Sequence, residues 1–116
     1  MFEQTAQLID KLVDGTLSKK YVWQKAVPLP GEITANYPIE TYAMIETHKS
    51  YWCKNNENMV ALVSMHYNKY SIFLYSYKSN EFSEYPIPIQ SYFRLRTVIQ
   101  NQLGISDKML NDFLNS

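Results

Sequence analysis

The chain of 116 residues carries 11 basic and 11 acidic side chains, and 46% of its residues are hydrophobic. These proportions are typical of a folded protein with a substantial core, so residues 1–116 are predicted to form a single domain rather than a disordered chain. The charges are balanced and no basic block is segregated along the sequence. This argues against nucleic acid as a partner, because such binding draws mainly on the neutralisation of phosphates.

Aromatic residues are abundant, with ten Tyr, five Phe and two Trp against three Gly. Tyrosine combines a large apolar ring with a hydroxyl that needs water or a partner, so it favours half-buried sheet positions and interfaces. The single cysteine, Cys53, forms no intrachain disulfide and suits a reducing compartment. No segment has the features of a signal peptide or the ~20 apolar residues of a membrane span, so we predict a cytoplasmic protein with no membrane partner.

The N-terminal segment has the periodicity of an amphipathic helix. Over residues 2–14 the apolar side chains of Ile9, Leu12 and Val13 fall along one side, and polar residues occupy the other. Gly15 follows directly and is predicted to end the helix as its C′ residue.

The middle of the chain alternates β-forming runs with turn signals. The predicted strands lie at 21–27, 39–45, 48–54, 59–67, 70–77 and 82–87. Pro86 and Pro88 confine the last of these to the edge of a sheet, because proline cannot donate to a strand ladder.

The C-terminal segment returns to helical periodicity. Residues 91–103 predict a helix that ends before Gly104, and Ser106 could begin a last short helix with Phe113 and Leu114 on its apolar side. The order of helix, strands and helices predicts an α+β fold. We expect an N-terminal helix, an antiparallel meander sheet of about five to six strands, and one or two C-terminal helices packed on one face.

Turn positions predict the pairing of the strands. A two-residue turn at Asn68–Lys69 fixes the central hairpin, and the neighbouring turns fix the strands on either side. The resulting partners include Trp52 with Ala61, Val63 with Leu74, and Leu74 with Tyr85. All three hairpins then agree on one apolar face, against which the helices are expected to pack.

The opposite face is predicted to carry more aromatic surface than a solvated sheet normally exposes. Three covers are consistent with this: another part of the chain, a protein partner or second copy, or a small apolar ligand. The residues predicted to bind a protein or a ligand there are Tyr51, Leu62, Phe73, Tyr75, Tyr77 and Phe82.

No catalytic, metal or cofactor motif stands out. Alternation along the predicted strands sends His48 and His66 to opposite faces, so they cannot share a metal, and Cys53 lies far along the sheet from His66. The sequence therefore favours a non-enzymatic protein-interaction module, either self-associating or of adaptor, inhibitor or immunity type, that uses the aromatic face. The alternative is a carrier or sensor of a small apolar ligand, with a pocket between the sheet and the helices.

Overall fold

A computed structural model describes residues 2–104 and 112–115. Within these residues the α-helices are Phe2–Leu17 (α1), Gly31–Thr34 (α2), Ile39–Tyr42 (α3) and Ile89–Leu103 (α4), with a 3-10 turn at Thr47–Lys49. The strands are Gln24–Lys25 (β1), Tyr51–Lys54 (β2), Asn58–Met65 (β3), Lys69–Ser76 (β4) and Glu81–Pro86 (β5).

The α+β class is confirmed. Five strands form one antiparallel sheet in the order β1-β2-β3-β4-β5, so each strand pairs with its neighbour in the sequence. Helices α1 and α4 contact each other, and α4 packs on the sheet. The last predicted helix, beginning at Ser106, falls largely outside the described residues; Phe113 and Leu114, which are described, are exposed.

Helix α1 confirms the predicted apolar side but not the predicted end. Ile9, Leu12 and Val13 are buried, whereas Gly15 lies inside the helix, which continues to Leu17. The left-handed residue beyond the helix is Lys19, with φ of 63°. Gly15 serves a different purpose, because a Cβ built on it would lie 2.2 Å from a ring carbon of Tyr21. Glycine is therefore required for close packing rather than for backbone conformation.

Hydrogen bonds of Trp23 and Gln102 connect α1 and α4 to the segment that precedes β1. The indole Nε1–H of the buried Trp23 donates to the Thr16 hydroxyl at 2.8 Å. From α4, the Gln102 amide oxygen accepts from the Trp23 backbone N–H, and its NH2 group donates to the carbonyls of Tyr21 and Thr16. This one side chain thus joins α4 to the end of α1 and to the segment that leads into β1.

The predicted register of the central hairpin is wrong by three residues. The structure pairs Val60 with Leu74, where the sequence placed Val63 opposite Leu74. The turn is not Asn68–Lys69, because the residues at positive φ are Tyr67 and Asn68. An odd shift exchanges the two faces of one strand relative to its neighbour. The single apolar face on which the three predicted hairpins agreed does not exist.

In the β2–β3 and β4–β5 hairpins the side chains lie on the faces that were predicted. In β2 and β3 the pairing of Trp52 with Ala61 is confirmed. Between β4 and β5 the register differs by two residues, so that Tyr85 lies opposite Ile72, and an even shift leaves each side chain on its predicted face. Upstream of β2, His48 belongs to the 3-10 turn rather than to a strand.

The sheet is covered on both faces by its own chain. On one face lie α1 and α4, with Leu62 and Ile72 in the core between sheet and helices. On the other lies the segment 29–45, whose Ile33 packs over Val63 and Phe73. The strand predicted at 39–45 is wrong, because this segment contains α2 and α3; the run predicted at 21–27 is a strand only at Gln24–Lys25. A sheet between two layers explains why β3 is buried along almost its whole length.

Candidate functional site

The aromatic surface predicted from the sequence does not form as one face. Tyr51 and Leu62 are 2% and 0% exposed and belong to the core under the helices, whereas Phe73 belongs to the opposite face. The cause is the odd register shift of the central hairpin, which moves Leu62 to the other side of the sheet from Phe73. Tyr51 and Leu62 are therefore withdrawn from the predicted surface.

The remaining members of that set lie together, but the chain itself covers much of them. The ring of Tyr37 stacks on Phe73 with centroids 5.1 Å apart and meets Phe82 edge-on. Tyr75 and Tyr77 are half-buried beside them. Binding of a partner by these side chains stays a prediction, with a smaller exposed area than the sequence indicated.

Two tyrosine hydroxyls hold the covering segment to the sheet. The Tyr77 hydroxyl donates to Glu32 of α2 at 2.5 Å, and the Tyr37 hydroxyl donates to Glu84 of β5. Burial, followed by the neighbouring Glu32 carboxylate, raises the pKa of Tyr77 to about 12, and burial beside Glu84 raises the pKa of Tyr37 well above its usual value. Both hydroxyls therefore stay protonated donors across the physiological range.

The side chains most often used in catalysis, Cys53 and the two histidines, lie in different elements of the fold. Burial raises the pKa of the Cys53 thiol to about 12, so the group is neutral and a poor nucleophile. His48 and His66 are both exposed, in the 3-10 turn and in the β3–β4 loop respectively. In the part of the chain that the structure describes, no cluster of three or more His, Cys, Asp or Glu side chains could hold a metal ion.

A concavity lies between α1 and the sheet and is called here the α1–sheet groove. It is a cavity of about 340 Å³ at the end of the sheet where the β2–β3 and β4–β5 turns lie. Its floor is apolar and is formed by half-buried or exposed side chains of α1, β3, β4 and β5: Leu8, Val60, Leu74 and Tyr85. A second depression of about 340 Å³ shares Leu8, Leu74 and Tyr85 and extends the groove towards Gln4.

The groove exists because α1 leans towards α4 rather than over the outer strands. The residues of α1 that are fully buried, Ile9 and Leu12, belong to the core shared with α4. Leu8, one position before Ile9, faces β4 and β5 across the open space. The sequence analysis offered a pocket between the sheet and the helices as an alternative, but of its predicted binding residues only Tyr75 lines this groove. The signal that was present is Leu8 itself, an apolar residue at the margin of the helical stripe with the spacing i, i+4 to Leu12.

Polar groups surround the floor on the side of the turns. Lys11 projects from α1 and Lys20 from the following loop, where its Nζ lies 5.8 Å from the ring centroid of Tyr21, which is part of the groove wall. Lys54 contributes its stem, but its Nζ lies over the Trp52 ring. The groove therefore combines an apolar floor with lysine ammonium groups at its open end.

Comparison with protein-family models, with curated proteins and with solved structures gives no match. In residues 2–104 and 112–115 no helix combines the length and the apolar character needed to cross a membrane.

Proposed function

We propose that this protein is a non-enzymatic binding module that holds a small, largely apolar molecule in the α1–sheet groove. The observation that carries the proposal is the cavity of about 340 Å³ with an apolar floor. Ligand pockets of proteins are typically concave, lined mainly by apolar and aromatic side chains, and roughly 300–1,000 Å³ in volume. The volume of the groove falls at the small end of that range, and its lining combines the apolar floor with lysine, asparagine and serine side chains, which favours a ligand of modest size.

The wall of the groove formed by Tyr21 is fixed in advance of binding. Both backbone polar groups of Tyr21 are bonded, because its N–H donates to the Gly15 carbonyl at 3.0 Å and its carbonyl accepts from Gln102 at 2.6 Å. Its ring packs against Gly15, where there is no Cβ. A pre-formed wall lowers the entropy cost of binding, since little of the protein must be ordered when the ligand arrives.

A binding role without catalysis is supported by the chemistry of the lining. Cys53 lies at the groove, but its raised pKa of about 12 keeps the thiol protonated. Neither histidine lines the cavity. The groove thus supplies contact area and charge, which are the requirements of a carrier or sensor.

Two leucines of α1 give a matched test. Leu8 forms the floor of the groove, whereas Leu17 is 66% exposed at the end of the same helix and lies outside it. Leu8→Trp should fill the cavity and weaken binding of the neutral dye Nile red by about tenfold or more, a loss of ~1.4 kcal/mol or more. Leu17→Trp should bind the dye as the parent protein does.

Dye fluorescence titration measures the affinity, and circular dichroism with thermal unfolding checks that both variants are folded. Native mass spectrometry of the purified parent protein tests independently for a ligand retained from the cell. Failure of the parent protein to bind Nile red, or equal binding by a folded Leu8→Trp variant, overturns the proposal.

A further inference from the structure

The groove is asymmetric along α1. Leu8 and the sheet residues Leu74 and Tyr85 form the part shared by both depressions. Lys11 lies one helical turn beyond Leu8, because side chains three residues apart are neighbours on a helix surface. From Gln4 to Lys11 the helix rises about 10 Å at ~1.5 Å per residue. An elongated ligand can therefore lie on the apolar floor with one end at Lys11.

The charges at the groove are unbalanced although the whole chain is neutral. The cavity is lined by Lys11, Lys20 and Lys54, and among the described residues the only lining carboxylate is that of Glu81. Lys54 is discounted because its ammonium group lies over the ring of Trp52, which packs on the opposite face of the sheet, whereas the ring next to the Lys20 ammonium, that of Tyr21, lines the groove. The carboxylate next to Lys11 in the sequence, Asp10, is held by Arg94 at 2.5 Å. Lys11 and Lys20 remain as the cations that a ligand meets.

The neutral polar groups at the same end also offer donors. The side-chain oxygen of Asn55 accepts from the backbone N–H groups of Glu57 and Asn58, each at 2.8 Å, so its contribution to a ligand is its NH2 group. The Ser76 hydroxyl oxygen accepts from the Ser79 N–H, so the hydroxyl proton of Ser76 points away from Ser79 and can be donated to another group. Ammonium and amide donors next to an apolar floor complement a molecule with a negatively charged head and a hydrocarbon tail.

We infer that the ligand of the α1–sheet groove is an amphipathic anion, with a carboxylate or similar headgroup at Lys11 and Lys20 and an aliphatic tail over Leu8 and Leu74. The inference deepens the proposed function and rests on it. The head stays at the exposed mouth, where the loss of solvation is small, while the tail gains the burial free energy of an apolar chain.

The test compares three probes with the same alkyl chain: decanoate, decanol and decyltrimethylammonium. Displacement of Nile red at low ionic strength should rank decanoate first, about tenfold tighter than decanol, with the cation weakest. Raising the salt concentration should reduce the preference for decanoate, because exposed charges are screened. Lys11→Gln and Lys20→Gln should each weaken decanoate binding by about three- to fivefold and leave decanol unchanged, as expected for exposed ion pairs. Lys69→Gln, at the opposite end of the sheet, is the matched control.

The outcomes separate the two proposals. Equal affinity for decanoate and decanol, or loss of decanol binding in the lysine variants, overturns the anionic headgroup while leaving an apolar-ligand module in place. Bound Nile red that none of the three probes displaces likewise overturns the amphipathic anion, whereas failure of the parent protein to bind Nile red overturns the proposed function itself.

Discussion

Replacing Gly15 by alanine tests the packing of the groove wall. In an ordinary helix this change stabilises the protein, because alanine is favoured over glycine by about 1 kcal/mol in a helix interior. Here the added Cβ would lie 2.2 and 2.3 Å from two ring carbons of Tyr21. Either the ring or the helix must move, so the sign of the effect should reverse.

The magnitude follows from two opposing contributions. Insertion of a methyl group into a packed site costs about 1–3 kcal/mol, and the gain in helix propensity offsets about 1 kcal/mol of that cost. The backbone of Tyr21 cannot withdraw freely, because its N–H and carbonyl are bonded to Gly15 and Gln102, so relief requires the ring itself to rotate away from the helix. We expect Gly15→Ala to lower the free energy of unfolding by up to about 2 kcal/mol.

A double-mutant cycle, measured by urea unfolding, isolates the steric clash between a Cβ at position 15 and the ring of Tyr21. In a Tyr21→Ala background the ring is absent, and Gly15→Ala should then raise the free energy of unfolding by about 0.5–1 kcal/mol. Opposite signs in the two backgrounds are the expected signature. If Gly15→Ala stabilises the parent protein as much as the Tyr21→Ala variant, the close approach of ring and helix is refuted.

Two further variants test the side-chain hydrogen bonds of Gln102 and of Glu46. Gln102→Leu should lower the free energy of unfolding, measured in urea, by about 2 kcal/mol, because it removes the acceptor of the Trp23 N–H and the donor to two carbonyls. The control, Gln90→Leu on the exposed start of α4, should have little effect in the same measurement. The Ser64 hydroxyl, 2.7 Å from Glu46, lowers the pKa of Glu46 below its usual 4.5. The stabilisation is therefore present above about pH 4.5 and is lost as the pH falls through the folded-state pKa, so that the stability difference between the parent and Glu46→Gln should shrink in acid. A difference that is constant from pH 7 to pH 3 would contradict this linkage.

The elements that could be predicted are those with long, regular patterns. The apolar stripe of α1 and the stripe of α4, with Gly104 beyond its end, were sufficient to place both helices within a few residues. The β2–β3 hairpin was also predicted in register, because its turn cluster leaves little freedom. Local sequence carries this information without reference to the rest of the chain.

The central hairpin failed because its turn uses an unusual residue. Tyr67 adopts a φ of 68°, a conformation that large side chains rarely take, and this moves the turn away from Lys69. The burial of β3 on both faces offered a warning: its near-continuous apolar run is typical of a strand covered on two sides rather than one.

The residues that line the groove could not be predicted because no single segment contains them. Lys11, Lys20 and the sheet residue Leu74 come together only when α1 is placed against the sheet, and the position of that helix decides whether Leu8 is covered. Balanced charge along the sequence likewise concealed a local excess of lysine. Such excesses arise from tertiary placement, which composition does not record.

The bonds of Gln102 also bear on the order in which the molecule can be completed. They join positions 79, 81 and 86 residues apart in the sequence, so the corner around Trp23 cannot close until α4 has been synthesised. Contacts of such long range slow folding, because a long loop must be closed before they contribute. While the chain is still emerging from the ribosome, α1 therefore lacks α4, the helix with which it shares its core. The part of its apolar stripe that faces α4 stays uncovered until that helix has been made.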